Sequence, residues 1–199
     1  METLVRELPI VGGHLALDLA NTVDDPEGVN RHDHIATYAG LLEWSRRVGT
    51  LSSAHANRLR AGTSPRAGAA AVRRAHALRA TLIETFTGDP TIPWPALRPF
   101  VADALANAGL SPAAGAYEPT WDHAGEPHAM LWPVARAAVD LLTSADLRRV
   151  KRCAGCPWLF LDRSKNASRR WCDMNDCGTH AKIERYVARR AARRAARAE

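Results

Sequence analysis

Four cysteines, the chain's whole complement, lie in its last quarter as Cys153-x2-Cys156-x15-Cys172-x4-Cys177. Any fold the chain adopts has to answer to that spacing. Two close pairs, 15 residues apart, can fold back on each other and set four thiolates around one tetrahedral ion, the arrangement a structural Zn²⁺ requires. The same residues also suit a pair of disulfides, and the compartment decides between the two readings. The N-terminal Met1 to Glu7 lacks the basic start and apolar stretch of a secretion signal. No apolar run approaches the roughly 18–20 residues of a membrane span. The expected location is therefore the cytoplasm, where thiols stay reduced and zinc is favoured over disulfides.

At 199 residues, 46% apolar and 24% charged, the chain is long enough for one core with a small appendage. Its net charge of +6 hides an asymmetry. Residues 148–199 hold 15 Lys and Arg against 5 Asp and Glu; the remainder holds 12 against 16. An acidic body thus carries a strongly basic tail, which points to a polyanionic partner for the tail alone.

The expected fold is mainly α: a helical N-terminal domain with a small β-hairpin over residues 1–147, then a zinc knuckle–hairpin–helix module over 148–199. Helical patterns run over 33–48, closing at Gly49, and from the N-cap Ser64 with Pro65 through to Gly88. Further helices are expected over 96–108, 133–143 and 145–151. Leu15 to Leu19 alternates large apolar with small or polar residues, which suits a short strand, with a helical turn as the alternative. Residues 116–121 and 128–132 read as a hairpin joined by 122–127, and 109–115 as a loop.

Inside the cysteine module, residues 158–162 and 169–171 read as two strands around a polar turn, 163–168. Trp158, Phe160 and Trp171 would form its small apolar core; stacking platforms for bases are the alternative. So few residues bury little, so the ion must supply most of the folding free energy. From Thr179 to Glu199 the chain has no Gly or Pro and is dominated by Ala and Arg, both good helix formers. On a helical wheel Lys182, Arg185, Arg189, Arg190, Arg193 and Arg197 share one half. Ile183, Val187, Ala191 and Ala195 form a narrow stripe expected to rest on the protein. Like charges at i, i+4 spacing weaken a free helix, so a neutralising partner explains this face better than solvent does. Arg163, Lys165, Arg169 and Arg170 supply a second cationic cluster. Phosphate contacts from either would give a steep salt dependence without sequence readout.

These residues make the chain recognisable. Cys153-Ala-Gly-Cys156, Phe160-Leu161-Asp162-Arg163-Ser164-Lys165-Asn166, Ser168 to Met174, Cys177-Gly178 and Ala181-Lys182 resemble the CGNR zinc-finger family. Upstream, Leu15 to Thr22 and Leu131 to Arg136 resemble its usual partner, the ABATE domain. The resemblance implies a bacterial protein of a class regarded as stress-induced transcription regulators, with a C-terminal DNA-binding module. The chain departs from the signature after Cys177-Gly178, where Thr179-His180 replaces Asn-Arg and a permanent cation gives way to an imidazole that can donate a hydrogen bond.

The body offers no Gly-rich phosphate loop, no His-Glu-x-x-His and no Gly-x-Ser-x-Gly. His14, Asp18 and Asn21, followed by Asp24, Asp25, His32, Asp33 and His34, are its candidate ligand-binding set, with turn capping and surface histidines as the plainer reading. The sequence thus points to a non-enzymatic regulator that binds double-stranded DNA, possesses structural zinc, senses an effector through its body and pairs as a homodimer. An RNA-binding or protein-docking finger, or a catalytic body tethered by the finger, are the alternatives.

Overall fold

The computed structural model describes residues 8–26, 28–88, 94–121 and 125–195; residues 122–124 of the expected turn at 122–127, and Arg197, lie outside them. Helix α1, Leu15–Ala20, is where a short strand was the first expectation. Its apolar side chains point in every direction, and Ala16, Leu17 and Leu19 are wholly buried. An all-round apolar segment suits a central helix, and α1 packs against elements on several sides. The two-residue strands β1, Val23–Asp24, and β2, His32–Asp33, then pair antiparallel. Because Asp33 is held in that ladder, helix α2 begins only at Tyr38 and runs to Arg47, with Thr37 as its N-cap.

Helix α3, Ser53–Gly62, escaped the sequence reading because it buries only Ala56 and Leu59. Its signal was local: the Ser52 hydroxyl accepts from the His55 N–H at 3.2 Å. The longest body helix, α4, Pro65–Thr87, begins at the expected Ser64-Pro65 cap. Gly68 lets it approach α2, since a Cβ there would stand 3.1 Å from Tyr38 Cγ. Helix α5, Trp94–Ala106, follows.

The hairpin of the body pairs β3, Gly109–Ala113, with β4, Ala116–Thr120, so the segment expected as a loop is a strand. Ala114 and Gly115 have φ of 44° and 85°, the left-handed pair that a two-residue hairpin turn demands. The other expected strand, 128–132, is instead a 3₁₀ turn, Ala129–Leu131, opening helix α6, Trp132–Leu142. Asp103 of α5 fixes it there: its carboxylate accepts from Trp132 Nε1 at 2.9 Å and Arg74 at 2.7 Å, with His128 at 3.3 Å. A buried ion pair closes the other side of α4. Arg79 donates to both carboxylate oxygens of Asp33 at 2.8 and 2.7 Å and to the Thr22 hydroxyl at 3.0 Å.

After a 3₁₀ turn, Ala145–Arg149, strand β5, Val150–Arg152, pairs antiparallel with β6, Leu159–Leu161. The expected partner of 158–162, residues 169–171, is not a strand; it lies alongside, with Arg170 C=O accepting from the Ala154 N–H. Helix α7, Cys177–Ala195, ends the described chain. No helix is long and apolar enough to cross a membrane.

Strand β6 joins two cores. Its alternation sends Leu159 and Leu161 into the body, among Leu17, Leu19 and Leu141, and sends Phe160 to the cysteines. Its outer edge is satisfied by the N-terminal segment. Asn21 accepts from the Leu159 N–H and donates to the Leu159 C=O, both at 2.8 Å, and Gly12 C=O accepts from the Leu161 N–H at 2.8 Å. Trp158 Nε1 adds a bond to Val23 C=O at 2.8 Å. Replacing Asn21 with Ala strands two buried backbone groups, each worth about 1–3 kcal/mol. We expect Asn21→Ala to lower unfolding stability by about 2–4 kcal/mol, read as a drop in urea midpoint.

Candidate metal centre and basic surface

The cysteines are brought together by backbone that the sequence makes locally. Cys153 leaves β5 and its N–H donates to Trp158 C=O at 2.8 Å, closing a tight knuckle that carries Cys156 on its return. The second pair brackets a turn in which Asp173 Oδ1 accepts from the Asn175 N–H at 2.7 Å, and Cys177 is the first residue of α7. All four sulfur atoms lie within 4.8 Å of one another, with Cys156–Cys172 at 3.5 Å and Cys172–Cys177 at 3.8 Å. A tetrahedral ion with metal–sulfur bonds of about 2.3 Å separates its sulfurs by about 3.8 Å. The donor set therefore fits zinc.

Two further observations support that fit. The Gly155 and Cys172 N–H groups donate to Cys153 Sγ at 3.4 and 3.3 Å, the outer bonds that steady a thiolate ligand. Crowding also splits the thiols. Hydrogen bonding from Cys172 holds Cys156 down at about 6, while Cys172 is raised by that same bond and by burial, and Cys177 is pushed up to about 12 by burial and the neighbouring Cys156 charge. One negative charge resists its neighbours' ionisation, and a divalent cation removes that resistance. Four thiolates close the shell, so zinc here is structural.

Side chains the sequence reading did not single out shape the loop beyond β6. Asp162, fully buried, accepts from Lys151 Nζ at 2.7 Å, Ser164 N–H at 2.9 Å and Arg169 N–H at 3.0 Å. Lys151 beside it holds its carboxyl far below the usual range. Lys151 donates also to Ala167 C=O, and Arg149 donates to the carbonyls of Asp162 and Ser164. The opposite charges of Lys151 and Asp162 were the available signal, but the two stand 11 residues apart.

That scaffold divides the expected cationic residues. Arg169 turns inward: it donates to the carbonyls of Trp171 and Cys172 and lies 4.7 Å over the Phe160 ring. Arg163 reaches Gly13 C=O at 3.3 Å. Lys165 and Arg170 are exposed, with Arg170 over Trp171 at 5.3 Å. Lys182, Arg185, Arg189 and Arg193 are exposed along one side of α7. The apolar stripe opposite does not rest on the protein: Ile183 and Val187 are 54% and 58% exposed. Helix α7 leaves the finger after Ala181, and from Lys182 to Arg194 every side chain is exposed. Thr179 donates to Met174 C=O, and His180 stands 4.0 Å from Asp176, outside the sulfur cluster.

The candidate ligand set of the body is split between separate places. The His14 ring caps α1. Its pKa is lowered by burial and by Arg163. Asn21 is spent on Leu159. Asp18 is buried and accepts from Gly12 N–H at 2.9 Å, against a glycine whose Cβ would stand 2.8 Å from its Oδ1. Asp24 pairs with His34 at 3.0 Å, His32 meets the His34 ring edge, and Asp33 serves Arg79, while burial pressing its pKa upward is outweighed by that guanidinium.

Burial pushes the Asp18 carboxyl up to about 6 against one opposing hydrogen bond. Its ionised form is thus disfavoured in the fold. The penalty is absent below the unfolded pKa near 4, grows as pH rises through about 6, and reaches at most about 3 kcal/mol above it. We expect Asp18→Asn to raise the melting temperature at pH 8 and to raise it far less at pH 4. For the metal centre, we expect Cys172→Ser to abolish stoichiometric zinc binding. Amide exchange should then accelerate at Leu159 and Leu161, in the body core, as well as within the finger.

Comparison with known families agrees with this geometry. Residues 149–190 match the CGNR zinc finger, and residues 13–145 match the ABATE family, described as "Putative stress-induced transcription regulator". No curated protein matches the chain. With well over half its length matched, the chain belongs to the ABATE family, a transcription-regulator family, and carries a CGNR zinc finger behind that domain.

Proposed function

We propose that this chain is a non-enzymatic, DNA-binding transcriptional regulator of the cytoplasm, in which residues 148–199 grip duplex DNA and residues 1–147 serve effector sensing and pairing of two copies. The observation that carries this reading is α7. It is 19 residues long, about 28 Å, and projects from the finger with Lys182, Arg185, Arg189 and Arg193 exposed along one side, without an acidic partner among the described residues. A free helix with that charge spacing is weakened by self-repulsion, which phosphates would relieve. Its diameter suits the major groove of B-DNA, about 12 Å wide.

Lys165 and Arg170, on the loop organised by Asp162, add phosphate contacts beside the helix, and Arg163 joins them while tethered to Gly13. Arg169 acts by holding the knuckle that presents them. Thr179 and His180, exposed at the first turn of α7, would approach base edges. The acidic body keeps the rest of the surface off the polyanion. The closed sulfur shell offers no open position for a substrate, which supports a non-catalytic role for the ion.

Fluorescence anisotropy with duplex DNA over a range of salt tests this. We expect log affinity to fall linearly with log salt, and Lys182→Ala and Arg189→Ala each to reduce the slope by about 1. Salt-insensitive binding would overturn the reading, and displacement by structured RNA at lower concentration than by duplex DNA would favour an RNA-binding finger instead.

A further inference from the structure

Beside the Asn21–Leu159 contact, a cavity of about 450 Å³ opens between body and finger. Its lining is one-sided in charge. Arg31, at the entry to β2, stands on the body side, and Arg152, the last residue of β5, stands on the finger side. His76 and Arg79 lie behind them, and no acidic side chain lines the cavity among the described residues. Asp33, the carboxylate that pairs with these side chains, is already shared: Arg79 holds it at 2.7 Å, His76 stands at 3.4 Å and Arg31 at 4.0 Å. One anion thus faces three basic side chains, and Arg152, which approaches from the finger, has no hydrogen-bond or ion-pair partner among the described residues.

The rest of the wall is apolar. Trp158 and Pro157 form the finger side, Val23 and Ala80 the body side, and Ile83 of α4 stands 41% exposed at the rim. Size and lining fall within the range of small-molecule sites, where an apolar cleft holds a few converging polar groups. A bare anion would leave Trp158 and Ile83 wet, and an uncharged apolar molecule would leave the cationic excess uncompensated. We propose that this seam is a binding site for a small amphipathic carboxylate, its anionic end between Arg31 and Arg152 and its apolar end against Trp158 and Ile83.

Such a ligand bridges body and finger across the one strand they share. Its binding would therefore bias the finger's position, a consequence that rests on the regulator reading, whereas the binding itself does not. Of the candidate set His14, Asp18 and Asn21, only Asn21 borders this cavity.

Calorimetric titration and thermal shift on the full zinc-loaded chain, without DNA, test the site. The probes are benzoate, indole-3-acetate and octanoate, with benzamide as the neutral isostere and inorganic phosphate as the bare anion. We expect at least one carboxylate to bind and raise the melting temperature, and benzamide and phosphate to bind at least tenfold more weakly. Arg152→Gln and Arg31→Gln should each weaken the carboxylate at least tenfold while zinc content stays stoichiometric; Ile83→Ser should weaken it while leaving phosphate unaffected. Absence of binding by all three carboxylates at millimolar concentration overturns the proposal, as does wild-type affinity in both arginine variants or equal affinity for phosphate. DNA affinity is measured separately, with and without the bound carboxylate: a carboxylate that binds a chain unable to hold DNA defeats the regulator reading alone, and DNA binding without carboxylate binding defeats the seam site alone.

Discussion

The side chain of Asn21 replaces a β-strand neighbour for Leu159, and the arrangement of the whole chain depends on that substitution. A three-residue strand at the edge of a two-stranded sheet has little stability of its own. Here its exposed edge is occupied by one carboxamide that returns both backbone bonds, and by the Gly12 carbonyl two residues on. With the edge satisfied, the alternation of β6 can place Leu159 and Leu161 in one core and Phe160 in another. The finger is therefore not tethered behind the body by a linker. It supplies two leucines to the body, and the body supplies hydrogen bonds to the finger.

Single carboxylates hold the surrounding pieces in the same way. Asp103 gathers Arg74 from α4 and His128 and Trp132 from the start of α6, Asp33 anchors Arg79, and Asp162 winds its loop around Lys151. Each is a many-armed acceptor at a point where short elements meet and apolar area alone would leave several registers open. A buried ion pair offers little net stability over a well-packed apolar substitute. Its effect in these places is geometric, because each donor reaches its acceptor in only one arrangement of the segments.

What the sequence revealed follows the range of the interaction involved. The zinc ligands were legible because their spacing is local and four thiols at that spacing suit one tetrahedral ion. The long helix α4 was legible from its Ser-Pro start and its apolar periodicity. Strand β5 was not: Val150-Lys151-Arg152 has the look of a helix tail, and its identity comes from pairing with Leu159 to Leu161 and from Lys151 reaching Asp162. Segment 128–132 alternates like a strand, yet His128 and Trp132 are drawn to Asp103, some 25 residues away in sequence. Helix α1 gave a false period because it is buried on every side. The wheel of α7 put Lys182 to Arg193 on one exposed side, as the helix has them, and misplaced the apolar stripe, since a wheel says which residues share a face and nothing about whether the protein reaches that face. Asn21 was picked out for its chemistry, and its partner lay 138 residues away.

Two sites can influence each other only through an element whose state both of them bias. Strand β6 has that position. The cysteines act on it through Phe160 and the knuckle that leads into Trp158, and the body acts on it through Asn21, Leu17 and Leu19. The seam cavity touches it at Leu159, next to Trp158. Phe160 cannot shift without moving Leu159 and Leu161, because the three are consecutive on one extended backbone. A displacement of β6 must therefore either break the Asn21 bonds or drag α1 with it, and Leu17 and Leu19 of α1 are wholly buried in the body core. Both routes disturb the body, so the segment from Gly12 to Val23, and not only the chain connection at 145–149, couples the body to the finger.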